Sequence, residues 1–171
     1  MLTTAQYLTL KTDILSPANA AALGGFITAI DDQSIADFYT QLTVPDFWVW
    51  KSDVTQSAYV GEASVDGTSW SWTIFIGRSQ GERDGWREMF ADTKSVNPSK
   101  LNIRQGVADI FSGAGGLAQR THLLAMSRRP ARRVETLFAV GTGSAASPAT
   151  MGYEGTINNV DVARALRNVG V

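Results

Sequence analysis

Cysteine is absent from this sequence, and histidine occurs once, at His122. The missing thiols exclude a disulfide framework and thiolate metal ligation. The scarcity of imidazole removes the side chain on which general-base and metal chemistry most often rest. Long apolar runs are lacking too, and none approaches the roughly 18 residues that a membrane-spanning helix requires. Met1 is followed by Leu-Thr-Thr-Ala-Gln, with neither a basic leader nor an apolar stretch behind it. The expectation is a soluble protein made in the cytoplasm, with no membrane partner.

What is present suffices for a folded domain. Of 171 residues, 44% are hydrophobic, which excludes wholesale disorder and allows a real core. The net charge of −1 conceals an asymmetry. Residues 1–66 set Lys11 and Lys51 against eight carboxylates, whereas residues 100–138 set seven cations against Asp109 and Glu135. Such a chain either carries two differently solvated faces, or attracts copies of itself and chemically distinct neighbours.

Helix signals dominate the first third. Thr3 or Thr4 caps a helix with Tyr7, Leu8, Leu10, Ile14 and Leu15. Ser16-Pro17 opens a second, whose Leu23, Phe26, Ile27 and Ile30 form a buried-face stripe. Asp31-Asp32 restarts the spacing at Ile35, Phe38, Tyr39 and Leu42, and Pro45 ends the unit. The middle reads differently. Phe47-Trp-Val-Trp50 and Ser69-Trp-Ser-Trp72 place tryptophans two apart, and Trp70, Trp72, Ile74 and Ile76 continue the alternation of an extended segment. Asp66-Gly67 supplies a turn before the second pair. Trp48, Trp50, Trp70, Trp72 and Trp86 are candidate core or interface aromatics, a ligand-stacking platform being the alternative. Ser79 and Glu82 form a capping box for the helix that carries Trp86, Met89 and Phe90.

Asn97-Pro98 predicts another helix start, with Ile103, Val107, Ile110 and Phe111 inward and Gly113 at the end. Helices over Leu117–Ser127 and Ala131–Val140 follow, separated by Pro130. The chain then enters a stretch of small residues, Gly141–Thr150, with little to bury. Thr150–Tyr153 reads as one short strand, and Asn158 or Asn159 caps a last helix through Val162, Leu166 and Val169, ending near Gly170. The expected fold is mainly α: a helical bundle over 1–140, an extended small-residue arm with a short β segment over 141–156, and a C-terminal helix over 157–171. Gly141, Thr142, Gly143, Ser147, Pro148, Met151 and Tyr153 are the candidate assembly arm, because such a segment gains order only against a partner.

No constellation of side chains points to catalysis, to a cofactor or to a metal, and an enzyme is not expected. His122 lies among Leu123, Leu124 and Met126, without an acid at ligand spacing, as a packed side chain does. The glycine-rich Gly113-Ala-Gly-Gly116 and Gly141-Thr-Gly143 lack the strand, helix and Lys-Ser/Thr of a phosphate loop. One constellation remains. Arg128 and Arg132 are four apart, as are Arg129 and Arg133, so a continuous helix would align them in two rows, although Pro130 interrupts it. With Arg120 they form a candidate interface or DNA channel lining, open to phosphate, to acidic neighbours or to the chain's own carboxylates.

Several runs resemble a known family. Asn97-Pro-Ser-Lys-Leu-Asn-Ile-Arg104, Arg128-Arg-Pro-Ala-Arg-Arg-Val-Glu-Thr-Leu-Phe-Ala-Val-Gly-Thr-Gly143, Ala146-Ser-Pro-Ala-Thr-Met151 and Tyr153-Glu-Gly155 are similar to small structural proteins of tailed bacteriophages. The opening Leu2-Thr-Thr-Ala-Gln-Tyr-Leu8 and the Phe47–Trp50 segment fit the same family, and the middle matches least. The resemblance implies a virion component. By fold-level analogy it implies a head-to-tail adaptor, a helical bundle whose arms reach the portal protein and neighbouring subunits in a dodecameric ring. Tail proteins and non-specific contact with packaged DNA would complete its partners, in the neck of the virion. Another neck or tail part, such as a tail-completion, tail-tube or decoration protein, or a small nucleic-acid-binding regulator using the arginines, are the alternatives.

Overall fold

A computed structural model describes residues 1–168, and these are mainly α-helical with short β segments. In chain order they form α1 (Thr4–Ile14), a 3-10 turn at Pro17–Asn19, α2 (Ala20–Ala29), α3 (Asp32–Thr40), β1 (Trp48–Trp50), β2 (Val54–Thr55), α4 (Gln56–Gly61) and α5 (Trp72–Ile76). Then come α6 (Gln80–Glu88), β3 (Ser95–Val96), α7 (Leu101–Ile110), a 3-10 turn at Ala114–Gly116, α8 (Leu117–Met126) and β4 (Arg128–Pro130). The last elements are α9 (Arg133–Leu137), β5 (Ala139–Val140), β6 (Thr150–Met151) and α10 (Asn159–Ala163), which continues as a π turn over Arg164–Asn168. The expected end of this helix, Val169 and Gly170, lies outside the described residues.

The chain divides into two compact units, Met1–Val49 with Pro130–Val171, and Trp50–Arg129. The reading of 1–140 as one body does not mark this division, although Pro45 and the change of pattern after it fall near the first crossing at Val49.

In the first unit, Leu10, Ile14, Leu23, Ile35, Tyr39, Val134 and Val162 share one core and are fully buried or nearly so. Thr3 and Gln6 close a capping box on α1, and Asn158 and Asp161 close another on α10, each satisfying orphan N–H groups at a helix start. Asp13 ties the helices together: its carboxylate accepts from the Tyr39 hydroxyl and, at 2.9 Å, from Asn19 Nδ2. Burial and that carboxylate push the Tyr39 phenol far above its ordinary range. A smaller cluster joins Val49, Ala131 and Ala149 under Phe47, Ala139 and Met151.

Two expectations for this unit are corrected. The stripe on α2 is not a buried face. Only Leu23 is buried, Ile27 is half-buried, and Phe26 and Ile30 are exposed; Ile30 adopts a left-handed conformation (φ 57°) and ends the helix. On α3 the helix stops at Thr40, which leaves Leu42 outside it and exposed.

In the second unit the core is aromatic. Tyr59, Phe75, Trp86, Phe90 and Phe111 pack with Val54, Val96, Val107, Leu123 and Met126. Antiparallel β2 and β3 align Val54 with Val96. Ser79 and Glu82 form the expected capping box on α6, and Gly67 (φ 74°) turns the Ser64–Thr68 loop as its sequence predicts. The alternating Trp70–Ile76 segment is not extended. Ser71 accepts from the N–H of Ile74 and starts α5, so a local cap overrides the period-2 pattern. The Asn97-Pro98 start is displaced as well, since Asn97 Oδ1 accepts from the N–H of Ser99 and α7 begins only at Leu101.

Candidate functional site

The arginines do not form helical rows. Arg128 and Arg129 lie on β4, Arg132 precedes α9, and Arg133 is its first residue, because Pro130 cannot sit inside a continuous helix. In the second unit Arg128 pairs with Asp66. Arg129 adds its charge against that of Lys51, whose pKa is lowered first by burial and then by this neighbour, with Glu62 opposing. Arg120 turns its Nη1 onto the carbonyls of Phe111 and Gly113, where α7 ends. Unsatisfied carbonyls at a helix C-terminus are a favourable seat for a cation. In the first unit Arg132 donates to Thr40 O at 2.8 Å, and Arg133 lies over the Phe38 ring with 4.3 Å to the centroid.

The segment expected to extend as an arm folds back instead. Residues 141–149 are the loop of a hairpin in which β5 and β6 pair antiparallel, Ala139 facing Met151 and Val140 facing Thr150. Trp48 donates its N–H to Gly143 O at 2.7 Å and accepts from the N–H of Ala149 at 2.9 Å. Gly143, Pro148 and Ala149 are buried, whereas Thr142 and the tip residues Ser144 to Ser147 are exposed. Thr142 Oγ1 donates to Ser147 O at 2.8 Å and closes the loop on itself. Small residues are used here because the backbone packs closely, not because there is nothing to pack. Met151 supports the Ala149 cluster. Tyr153 sets its ring edge-on to Phe138, and its pKa is raised by burial, then by Asp161 and Glu135.

Behind this hairpin lies a side chain that the sequence did not single out. Glu135 is fully buried and accepts the N–H of Arg132 at 2.8 Å and that of Gly155 at 3.1 Å. Its signal was its position three residues into α9, where a carboxylate satisfies the start of a helix.

The tryptophans divide. Trp86 is a core residue with 1% exposure. Trp70 packs against Trp86, Trp72, Phe75 and Phe111 with ring centroids 5.2 to 6.0 Å apart. Trp50 lies under the Arg104 guanidinium at 4.5 Å. Trp48 is half-buried beside the hairpin loop, and Trp72 is the exposed member at 56%.

His122 is fully buried. Nε2 faces Tyr59 O at 2.8 Å, so it must carry the proton, and Nδ1 then accepts from Thr68 Oγ1 at 3.3 Å. Tyr59 continues the network by donating to Ser127 Oγ at 2.7 Å, which donates to Leu123 O. Burial pushes the Tyr59 phenol up to about 12. The imidazole thus holds α4, α8 and the Ser64–Thr68 loop in register. Among the described residues no three His, Asp or Glu are gathered to hold a metal ion, and no helix is long and apolar enough to cross a membrane.

Outside these residues, α2 presents an exposed surface. No charged residue occurs between Ile14 and Ile30, and Ala20, Ala21, Ala22, Gly25, Phe26, Ala29 and Ile30 are exposed around Leu23. Compared with protein-family models, curated proteins and solved structures, the chain shows no match.

Proposed function

We propose that this chain is a structural protein of a tailed-bacteriophage particle, a head-to-tail adaptor whose copies ring the DNA channel between portal and tail. The observation that carries the proposal is the uncharged, exposed surface of α2. A contiguous apolar patch on a protein surface marks a place where another protein excludes water, and closed rings are built from such contacts repeated between copies. The resemblance of several sequence runs to small phage structural proteins supplies the assembly in which that contact would form. In this role α1, α3, α9 and α10 are the helical bundle, the exposed hairpin tip reaches a neighbouring subunit or the portal protein, and the particle neck is the location.

The test is the mass of the purified chain in solution, alone and with portal protein, for the parent and for Phe26→Glu. Phe26 is already exposed, so the variant should keep its circular-dichroism spectrum. The parent should form a ring with portal protein, and the variant should stay monomeric. A parent that stays monomeric with portal protein present, at concentrations where virion parts assemble, would overturn the proposal.

A further inference from the structure

The Ser64–Thr68 loop is held by a chain of hydroxyls whose direction the backbone fixes. Ser64 Oγ accepts the N–H of Asp66 at 3.2 Å and that of Thr68 at 3.1 Å. Both of its lone pairs are then used, so its own hydrogen goes to Thr68 Oγ1, 2.7 Å away. Thr68 in turn donates to His122 Nδ1, while Nε2–H donates to Tyr59 O. Each donor meets one acceptor, and only a neutral imidazole completes the chain.

A proton added at Nδ1 breaks this arrangement. Nδ1 becomes a donor, the Thr68 hydrogen loses its acceptor, and a cation occupies a site with no exposure. Buried charge persists only where it is paired, and among the described residues no carboxylate hydrogen-bonds or ion-pairs with the ring. The surrounding groups are turned elsewhere. Helix α4 carries no charge, and its Tyr59 phenol bonds Ser127. Arg120 of α8 lies on the carbonyls of Phe111 and Gly113. On α7, Arg104 lies over Trp50 and Asp109 is exposed. Asp66 of the loop pairs with Arg128.

The loop can yield without the core. Among the described residues the aromatic core takes none of residues 61–69, of which only Ser64 is buried and Thr68 half-buried. The Asp66–Arg128 pair also holds the loop, but the Asp66 side chain is 42% exposed, and such pairs contribute little. Once Thr68 lifts, water reaches Nδ1 and solvates the imidazolium. Proton uptake by the open form alone shifts the equilibrium toward opening. We propose that His122 is an acid-sensitive latch: neutral, it holds the Ser64–Thr68 loop closed, and a proton at Nδ1 releases the loop while the aromatic core stays folded. The latch belongs to the second unit alone and does not depend on whether the chain assembles into a ring.

The test follows backbone amide hydrogen exchange of the full-length chain by nuclear magnetic resonance between pH 7.5 and pH 5, as protection factors corrected for the pH dependence of exchange itself. The reporters are Asp66, Gly67 and Thr68, whose N–H groups bond within the loop, and Phe111, whose N–H bonds Val107 O. Loop protection should fall roughly 10- to 30-fold from pH 7 to pH 5, as one imidazole titrating in the open form requires, while Phe111 stays protected. His122→Gln keeps a donor for Tyr59 O and cannot charge, so it should remove the pH dependence. Asp66→Asn removes the carboxylate of the loop and should retain it. The proposal is overturned if loop protection does not change with pH, if Phe111 loses protection in step, if folded His122→Gln responds like the parent, or if Asp66→Asn abolishes the response. Should His122→Gln not fold, the profiles of the parent and Asp66→Asn decide. A fall that begins between about pH 7 and 6 belongs to an imidazole, and one that begins only below about pH 5 belongs to a carboxylate and overturns the latch.

Discussion

Replacing Gly143 by alanine separates a docked hairpin loop from a free arm. Gly143 sits at φ +67°, and a Cβ placed there would lie 2.2 Å from Phe47 Cε2 and 2.4 Å from both Cδ2 and Cζ. The left-handed backbone alone costs an L-residue about 1–2 kcal/mol. The ring adds more. Carbon atoms rest about 3.5–4.0 Å apart, so Phe47 must swing by more than about 1 Å to make room. Phe47 packs on Val49, Ala131 and Ala149, and forcing such a side chain aside costs about 1–3 kcal/mol. The backbone cannot yield easily, because Gly143 O holds the N–H of Trp48. The two costs together are about 2–5 kcal/mol, which in a chain of this length lowers Tm by roughly 10 °C. Thermal melts followed by circular dichroism measure this, with Ala146→Ser at the exposed tip as the neutral control. In a Phe47→Ala background the same substitution should cost only its backbone part, giving a coupling of about 1 kcal/mol or more. A Gly143→Ala protein that melts with the parent would refute the docked loop, and residues 141–150 would then be the free arm that their composition suggests.

Two further outcomes follow from single contacts. Arg120→Met keeps the stem but removes both bonds to the carbonyls at the end of α7; with one of them solvent-exposed, about 2 kcal/mol should be lost in urea unfolding, and no change would mean that water replaces the guanidinium. All four tyrosines, Tyr7, Tyr39, Tyr59 and Tyr153, have pKa values raised by burial. A folded-state pKa above the unfolded one contributes stability that is fully present below pH 10 and is lost as pH rises through the folded value. Phenolate absorbance should therefore stay low near pH 10 and climb with alkaline unfolding, and tyrosines titrating freely at pH 10 in the folded protein would refute it.

Much of the helical fold is legible because its determinants are local. The caps at Thr3, Asp31, Ser79 and Asn158 are bonds between residues three apart, and three-residue patterns survive in sequence. Errors arise where two local rules compete. At Trp70–Ile76 the alternation of large side chains opposed the cap at Ser71, and the cap won. At Asn97 the side chain that looked like a helix cap was engaged two residues on, which delayed α7. The candidate sites were harder because their partners are distant. Nothing near Gly143 announces Phe47, and nothing near His122 announces Thr68. The hairpin loop misled for a related reason: alanine and glycine are what a free arm uses, and also what a tightly packed backbone uses. Ala149 is fully buried, and composition cannot tell the two apart.

The charge split suggests assembly by attraction between acidic and basic faces, yet the bonds within each unit engage many of those charges. In the first unit Asp13 serves Tyr39 and Asn19, Asp31 caps α3, Asp32 pairs with Arg167, and Asp37 accepts from Gln33. Arg132 and Arg133 are committed to Thr40 O and the Phe38 ring. In the second unit Arg120 and Arg128 are engaged in the same way. Helix α2, by contrast, is exposed and carries no charge to commit. If α2 is what joins copies, assembly should respond to salt as apolar burial does. Screening over a Debye length of about 8–10 Å weakens attraction between exposed charges, whereas sulfate strengthens apolar association. Sedimentation of the parent chain with portal protein should therefore show assembly that persists in sodium chloride and increases in ammonium sulfate. Assembly that dissolves steeply with sodium chloride would return the contact to the charged faces and remove α2 from it.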